Sequence, residues 1–103
     1  MNDEKFSREQ ILFLSLVQSL INSTWISLGK LQNPVTKQTS VNLPEAEMSI
    51  DLLEMLKAKT RGNLSYEEQN VLEKALADLK MNYLSEKMKS PAPEKKPENS
   101  PNN

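Results

Sequence analysis

Only two glycines stand in the 103-residue chain, Gly29 and Gly62, and each follows an apolar pattern of helical period. Lacking a Cβ, glycine enters the left-handed conformation without steric penalty, which makes it the usual residue just past a helix end. Two such stops divide the chain into three helical segments. No internal repeat is visible, and no strand is assigned, although the Val35 to Val41 stretch could be extended. The expectation is an all-α fold: a three-helix bundle-like domain.

The first helix is expected from about Ser7 to Leu28. Ser7-Arg8-Glu9-Gln10 reads as a capping box, in which the hydroxyl takes an early helix amide and the glutamine reaches back. Phe13, Leu16, Val17, Leu20, Ile21, Thr24 and Leu28 fall on one broad face, flanked by Leu14 and Trp25. No charged residue occurs between Glu9 and Lys30, which is unusual for a surface helix. The segment after it contains the turn signal Asn33-Pro34, and residues 31–43 receive no strand or helix assignment.

The second helix is expected to start at Pro44, whose missing amide hydrogen costs nothing in a first helical turn. Ala46, Ile50, Leu53 and Leu56 form its core stripe, widened by Met48, Leu52 and Met55. The third follows a second capping box, Ser65-Tyr66-Glu67-Glu68, with Val71, Leu72, Ala75, Leu76, Leu79 and Tyr83 on one face. The short link through Gly62 makes these two helices spatial neighbours. From Ser90 to Asn103 the chain carries four of its six prolines and no large apolar residue, a composition that cannot offset its ordering entropy. The organisation expected is a loose N-terminus at 1–6, a helical domain over 7–89 and a disordered tail at 90–103.

The residues Ser19-Leu20, Leu28-Gly29, Asn33-Pro34, Val41-Asn42-Leu43, the run Ile50-Asp51-Leu52-Leu53-Glu54-Met55-Leu56, Lys59-Thr60 and Gly62-Asn63-Leu64-Ser65 resemble a small bacterial family catalogued as a domain of unknown function, DUF1844. Glu67, Glu68, Leu72, Leu76, Leu79 and Tyr83 continue the likeness. Two positions depart from it. The family tends to have a glycine shortly after the Thr36 position, where Lys37 stands, which argues against a tight turn there. It tends to have arginine at the Lys80 position. The resemblance implies a compact helical bacterial protein and carries no activity with it.

The chain contains no cysteine and no histidine. That removes disulfides, thiolate chemistry, the commonest general base and the commonest transition-metal ligands. The expectation is a non-enzyme with no cofactor, no metal site and no catalytic residue. A net charge of −1 argues against nucleic acid, whose binders present a basic face. Helix one is too short and too rich in serine to span a membrane. The mixed-sign start and absence of a clear cleavage site point to the cytoplasm of a bacterium-like cell.

Several clusters invite a sharper reading. Glu47, Asp51 and Glu54 share one side of helix two and could serve a divalent cation or acid–base chemistry; a solvated helix face is the plainer account. Lys57, Lys59 and Arg61 suit the negative end of a helix dipole. Helices two and three could imitate a DNA-reading pair, but Tyr66-Glu67-Glu68 would set anions against phosphates. Ser15, Ser19, Ser23 and Ser27 recur every four residues, a spacing that lets another helix come close; packing inside the monomer accounts for them equally well. Ile11 and Ile26 fall away from the main stripe, beside Ser15, Ser19 and Asn22. On helix three, Met81, Leu84 and Met88 form a second apolar strip with Tyr66 and Ala77.

These features point to a non-enzymatic helical interaction or structural protein that self-associates, as a homodimer, or binds a protein partner through helix one. The candidate interface is Ile11, Ser15, Ser19, Asn22, Ser23 and Ile26, with Met81, Leu84 and Met88 on helix three. The alternative classes are a small regulatory nucleic-acid binder and a carboxylate-based catalyst.

Overall fold

The computed structural model describes residues 7–89. The expected loose residues 1–6 and disordered tail 90–103 lie outside the described residues. Three α-helices follow one another: α1 Arg8–Ser27, α2 Leu43–Lys59 and α3 Tyr66–Lys89, with no strand among the described residues. The all-α three-helix expectation holds.

Local chemistry sets the helix starts. Ser7 Oγ accepts from the Gln10 amide at 3.1 Å, and Asn42 Oδ1 accepts from the Glu45 amide at 3.1 Å, with Pro44 in the first turn of α2. Each bond satisfies an amide that the helix itself leaves without a partner. At α3 both halves of a capping box form: Glu68 N–H donates to Ser65 Oγ at 3.1 Å, and Ser65 N–H donates to Glu68 Oε1 at 2.8 Å. The first box forms only by half. The Gln10 side chain turns away and donates to Ser65 Oγ across the bundle.

The end of α1 is a glycine cap of the expected kind. Gly29 takes φ +78°, its amide donates to the Ile26 carbonyl at 3.0 Å, and Lys30 N–H reaches the Trp25 carbonyl at 2.9 Å. This crossed pair satisfies carbonyls stranded in the last turn. Gly62 differs: α2 is capped at Thr60, and Gly62, φ +80°, lies further on, inside the turn to α3. The glycine there bends the link; it does not end the helix.

The unassigned connection is ordered by its own backbone and by the Asn33 side chain. Asn33 Oδ1 accepts from the amides of Val35 (2.8 Å) and Thr36 (3.1 Å), and Lys37 N–H donates to the Asn33 carbonyl at 2.8 Å. Lys37 sits at φ +65°, so the tight turn forms although a lysine occupies a position where glycine is favoured. Gln38 closes the lobe by accepting from the Asn33 amide. An isolated antiparallel bridge joins Leu28 to Val41, and Asn42 N–H donates to the Ser27 carbonyl at 2.7 Å.

These contacts fix the topology. The Ser27–Asn42 bond makes α2 antiparallel to α1, and Tyr83 beside Glu47 makes α3 antiparallel to α2. Gln10 beside Ser65 and Lys30 beside Glu86 then run α1 and α3 parallel. The core between them is Val17, Ile21 and Leu28 from α1 and its cap, Ala46, Ile50 and Leu53 from α2, and Leu72, Leu76 and Leu79 from α3. Each fully buried leucine here contributes roughly 1.5–3 kcal/mol relative to exposure. Thr24 is also buried, and its hydroxyl is satisfied by the Leu20 carbonyl at 2.8 Å. Five residues placed on core faces from periodicity, Leu16, Met48, Leu52, Met55 and Val71, stand exposed, because the neighbouring helices cover a narrower stripe than the apolar pattern marks.

Candidate functional site

Helical geometry decides which parts of α1 a partner could reach. Successive residues advance about 100° around the axis. Val17, Ile21 and Thr24 point to the core, so the outer side carries Ile11, Ser15, Ser19, Asn22 and Ser23, all exposed. The serine row drifts by about 40° every four residues, and Ser27 has by then rotated into the buried set. Ile26 is half-buried, which weakens it as a contact. Ile11 is 53% exposed, Leu12 52% and Leu16 49%. The large apolar surface on α1 therefore belongs to its first half; of its members, Leu12 is not singled out by the sequence and Leu16 is placed there on the core face.

The sides of α1 are fixed by its neighbours. Gln10 reaches α3 and Ser27 reaches α2. Leu12 and Leu16 fall on the Ser27 side of the helix, so they flank the groove between α1 and α2. On α2, Glu54 pairs with Lys80 and Glu47 with Tyr83, which marks its α3 side. Exposed Met48, Leu52 and Met55 lie on the other side, toward the α1 groove. The antiparallel register set by Ser27 and Asn42 brings Leu16 to the level of Leu52 and Met55. Apolar residues of two helices thus form one open strip.

The strip on α3 is separate. Met81, Leu84 and Met88 are exposed, Met88 by 79%, and Tyr66 and Ala77 share their side. Lys74 stands on the same side of the helix, whereas Lys80 turns to Glu54, Lys89 to Glu86, and Lys87 lies 5.8 Å from the centre of the Tyr83 ring.

Two of the three candidate carboxylates of α2 are engaged in contacts with α3. Glu54 pairs with Lys80, the position where the resembled family tends to carry arginine. Glu47 accepts from the Tyr83 hydroxyl at 3.4 Å, and burial together with that carboxylate pushes the Tyr83 phenol above its ordinary pKa. Among the described residues no three carboxylates converge as a metal site would need. A cleft of about 300 Å³ opens at the α2–α3 turn, lined by Lys57, Thr60, Arg61, Gly62, Leu64, Gln69 and Glu73. Its two cations face a carboxylate that already takes the Gln69 amide at 3.0 Å, so it offers no convergent anion site. No helix among the described residues is long and apolar enough to cross a membrane.

Of two buried acids, Glu68 is the capping-box residue expected at the start of α3, and Glu86 escaped the sequence reading. Glu86 is 7% exposed and accepts from Lys30 Nζ at 3.0 Å and Lys89 Nζ at 3.1 Å. Those two ammonium groups hold its carboxyl below the ordinary carboxylate range. It ties the end of α3 to the segment just past α1. Amphipathic spacing was the available signal, since Glu86 continues the core row of Leu72, Leu79 and Tyr83; a charge on that row reads first as an interruption.

A model of the family described as Domain of unknown function (DUF1844) matches residues 10–85. No curated protein and no solved structure matches the chain.

Proposed function

The chain belongs to the DUF1844 family, which brings a fold-sized domain and no activity, and from that premise we propose that it is a non-enzymatic interaction protein, held to a second protein by the outer face of α1. One observation carries this reading. Ile11, Leu12 and Leu16 stand half exposed on a helix without a charge from Ile11 to Leu28. A solvated helix face ordinarily carries charges, whereas contiguous exposed apolar surface is the mark of an interaction site. Ser15, Ser19 and Ser23 are small and neutral, so a partner helix can approach without desolvating ions. Met81, Leu84 and Met88 offer a smaller second contact on the outer side of α3.

The test is site-specific photo-cross-linking in the cell that makes the chain, with the reactive residue at Ser15 or Ser19 and a control at Asp78 on α3. Discrete adducts from α1 alone are expected. Equal background from all three positions would refute the reading.

A further inference from the structure

The groove between α1 and α2 gives that interaction a more definite form, resting on the reading above. We propose that the occupant of this groove is a second copy of the same chain, related by a two-fold axis, so that α1 and α2 of each copy build a four-helix interface. Leu12 and Leu16 from α1 and Met48, Leu52 and Met55 from α2 supply its apolar surface.

Three observations select a second copy. The first is charge. A two-fold places a face against itself, so a face of one sign would repel its twin. On α1 no charge lies between Glu9 and Lys30. On α2 the acids Glu47 and Glu54 are turned to Tyr83 and Lys80 of α3, away from the groove. Exposed Glu45 and Lys59 share the side of Met48 and Leu52 but stand at opposite ends of α2 and are opposite in sign, so the strip carries no net charge and is compatible with its own copy. The second is area. Helices of this length run ~30 Å, and a pair of packed helices is ~20 Å across. The face then covers ~600 Å² per copy, or ~1,200 Å² in all, the lower end of stable specific interfaces. The α1 row alone would cover about half of that. The third is shape. A two-fold running along the helices lays α1 of one copy over α2 of the other, antiparallel, with Ser19 and Ser23 at the level of Met48. Small residues then receive a long, adaptable side chain.

Sedimentation equilibrium on the full chain, over a wide concentration range, reads the assembly directly. Twice the chain mass is expected. Leu16→Lys and Leu52→Lys should each weaken dimerisation by at least tenfold while circular dichroism retains the helices, since both side chains are exposed in the monomer. Leu84→Lys on α3 should leave the dimer constant unchanged. Because the chain has no cysteine, Ser19→Cys adds one thiol per copy, and a short bis-maleimide should join two copies, whereas Ser85→Cys should not join. A monomeric mass at millimolar concentration overturns the proposal, as does a dimer indifferent to both groove substitutions. A monomer in solution that still gives α1 adducts of another protein in the cell would overturn this proposal and leave the broader interaction reading standing.

Discussion

Glu86→Gln isolates a charge that the fold has buried. The substitution keeps the volume and one acceptor but removes the negative charge from between Lys30 and Lys89. A hydrogen bond to a charged group is worth about 1.5–3 kcal/mol. The lysine side chains are 39% and 62% exposed, so water screens much of that, and surface pairs are worth only ~0–1 kcal/mol. Lys30 bridges two elements and Lys89 lies on the same helix as Glu86. The sum is a loss of about 1–2 kcal/mol, mostly through the Lys30 contact. The pH dependence follows from the lowered pKa of the folded carboxyl. A depressed acid binds fewer protons in the folded state than in the unfolded one. Its stabilisation is therefore complete above the unfolded value, about pH 4.3, and declines as pH falls below that toward the folded pKa. Urea denaturation followed by circular dichroism, at pH 7 and through the range below pH 5, measures both. The Gln variant should be less stable at neutral pH and should lose part of the acid-side slope. Equal stability at pH 7 with an unchanged acid limb would refute the assignment of Glu86 as a clamp.

The turns and the core give further outcomes. An alanine Cβ at Gly29 would lie 2.9 Å from Val41 Cγ2, whereas one at Gly62 would meet open space; both residues have positive φ. Gly62→Ala should cost ~1 kcal/mol from the left-handed backbone alone, and Gly29→Ala about 1–3 kcal/mol more, a difference that Val41→Ala should reduce in a double-mutant cycle. Equal costs in denaturation would show that the contact relaxes freely. Lys37→Gly should stabilise by up to ~1 kcal/mol, since it relieves a left-handed lysine against glycine's greater unfolded freedom; a loss of stability would mean that the Lys37 side chain contributes more than its backbone costs. Leu53→Ala should cost ~2–5 kcal/mol as a core cavity, while Met81→Ala should stay within ~0.5 kcal/mol. Adding Mg²⁺, Ca²⁺ or Zn²⁺ should leave the melting temperature in place; an upward shift abolished by Asp51→Asn would establish a cation site on α2.

Much of this architecture is legible from periodicity and punctuation. The Ser65–Glu68 box, the Gly29 cap and the leucines at 53, 72, 76 and 79 depend on neighbours within a few turns, where spacing is a direct reading of geometry. What spacing leaves open is the direction of approach of the other helices. Leu16 and Ile21 sit on one broad apolar face of α1, and only the position of α2 decides that Ile21 is covered and Leu16 stands at the groove edge. Ser27 was read with Ser15 because the row recurs every four residues, but helical drift turns it inward by the last turn. Gln10 had a local partner available and took a distant one in Ser65. Glu86 needed Lys30, 56 positions earlier, to make its burial affordable. At Lys37 the departure from the resembled family's glycine argues against a turn, yet Asn33 supplies enough hydrogen bonds from side chain and backbone to hold one there.

The Ser27–Asn42 hydrogen bond also separates the connection from the bundle in a practical sense. Residues 28–41 leave and return at nearly one point, and the lobe beyond is closed by its own Asn33 contacts. Chain length inside such a lobe is nearly independent of helix geometry. Lengthening a flexible loop costs only ~0.6 kcal/mol per doubling, so an epitope or a small reporter inserted between Thr36 and Ser40 would hang from a fixed stem. The Leu28–Val41 bridge and the Ser27–Asn42 bond lie outside the inserted stretch, which makes this lobe the natural place to attach a label for following the chain's associations in a living cell.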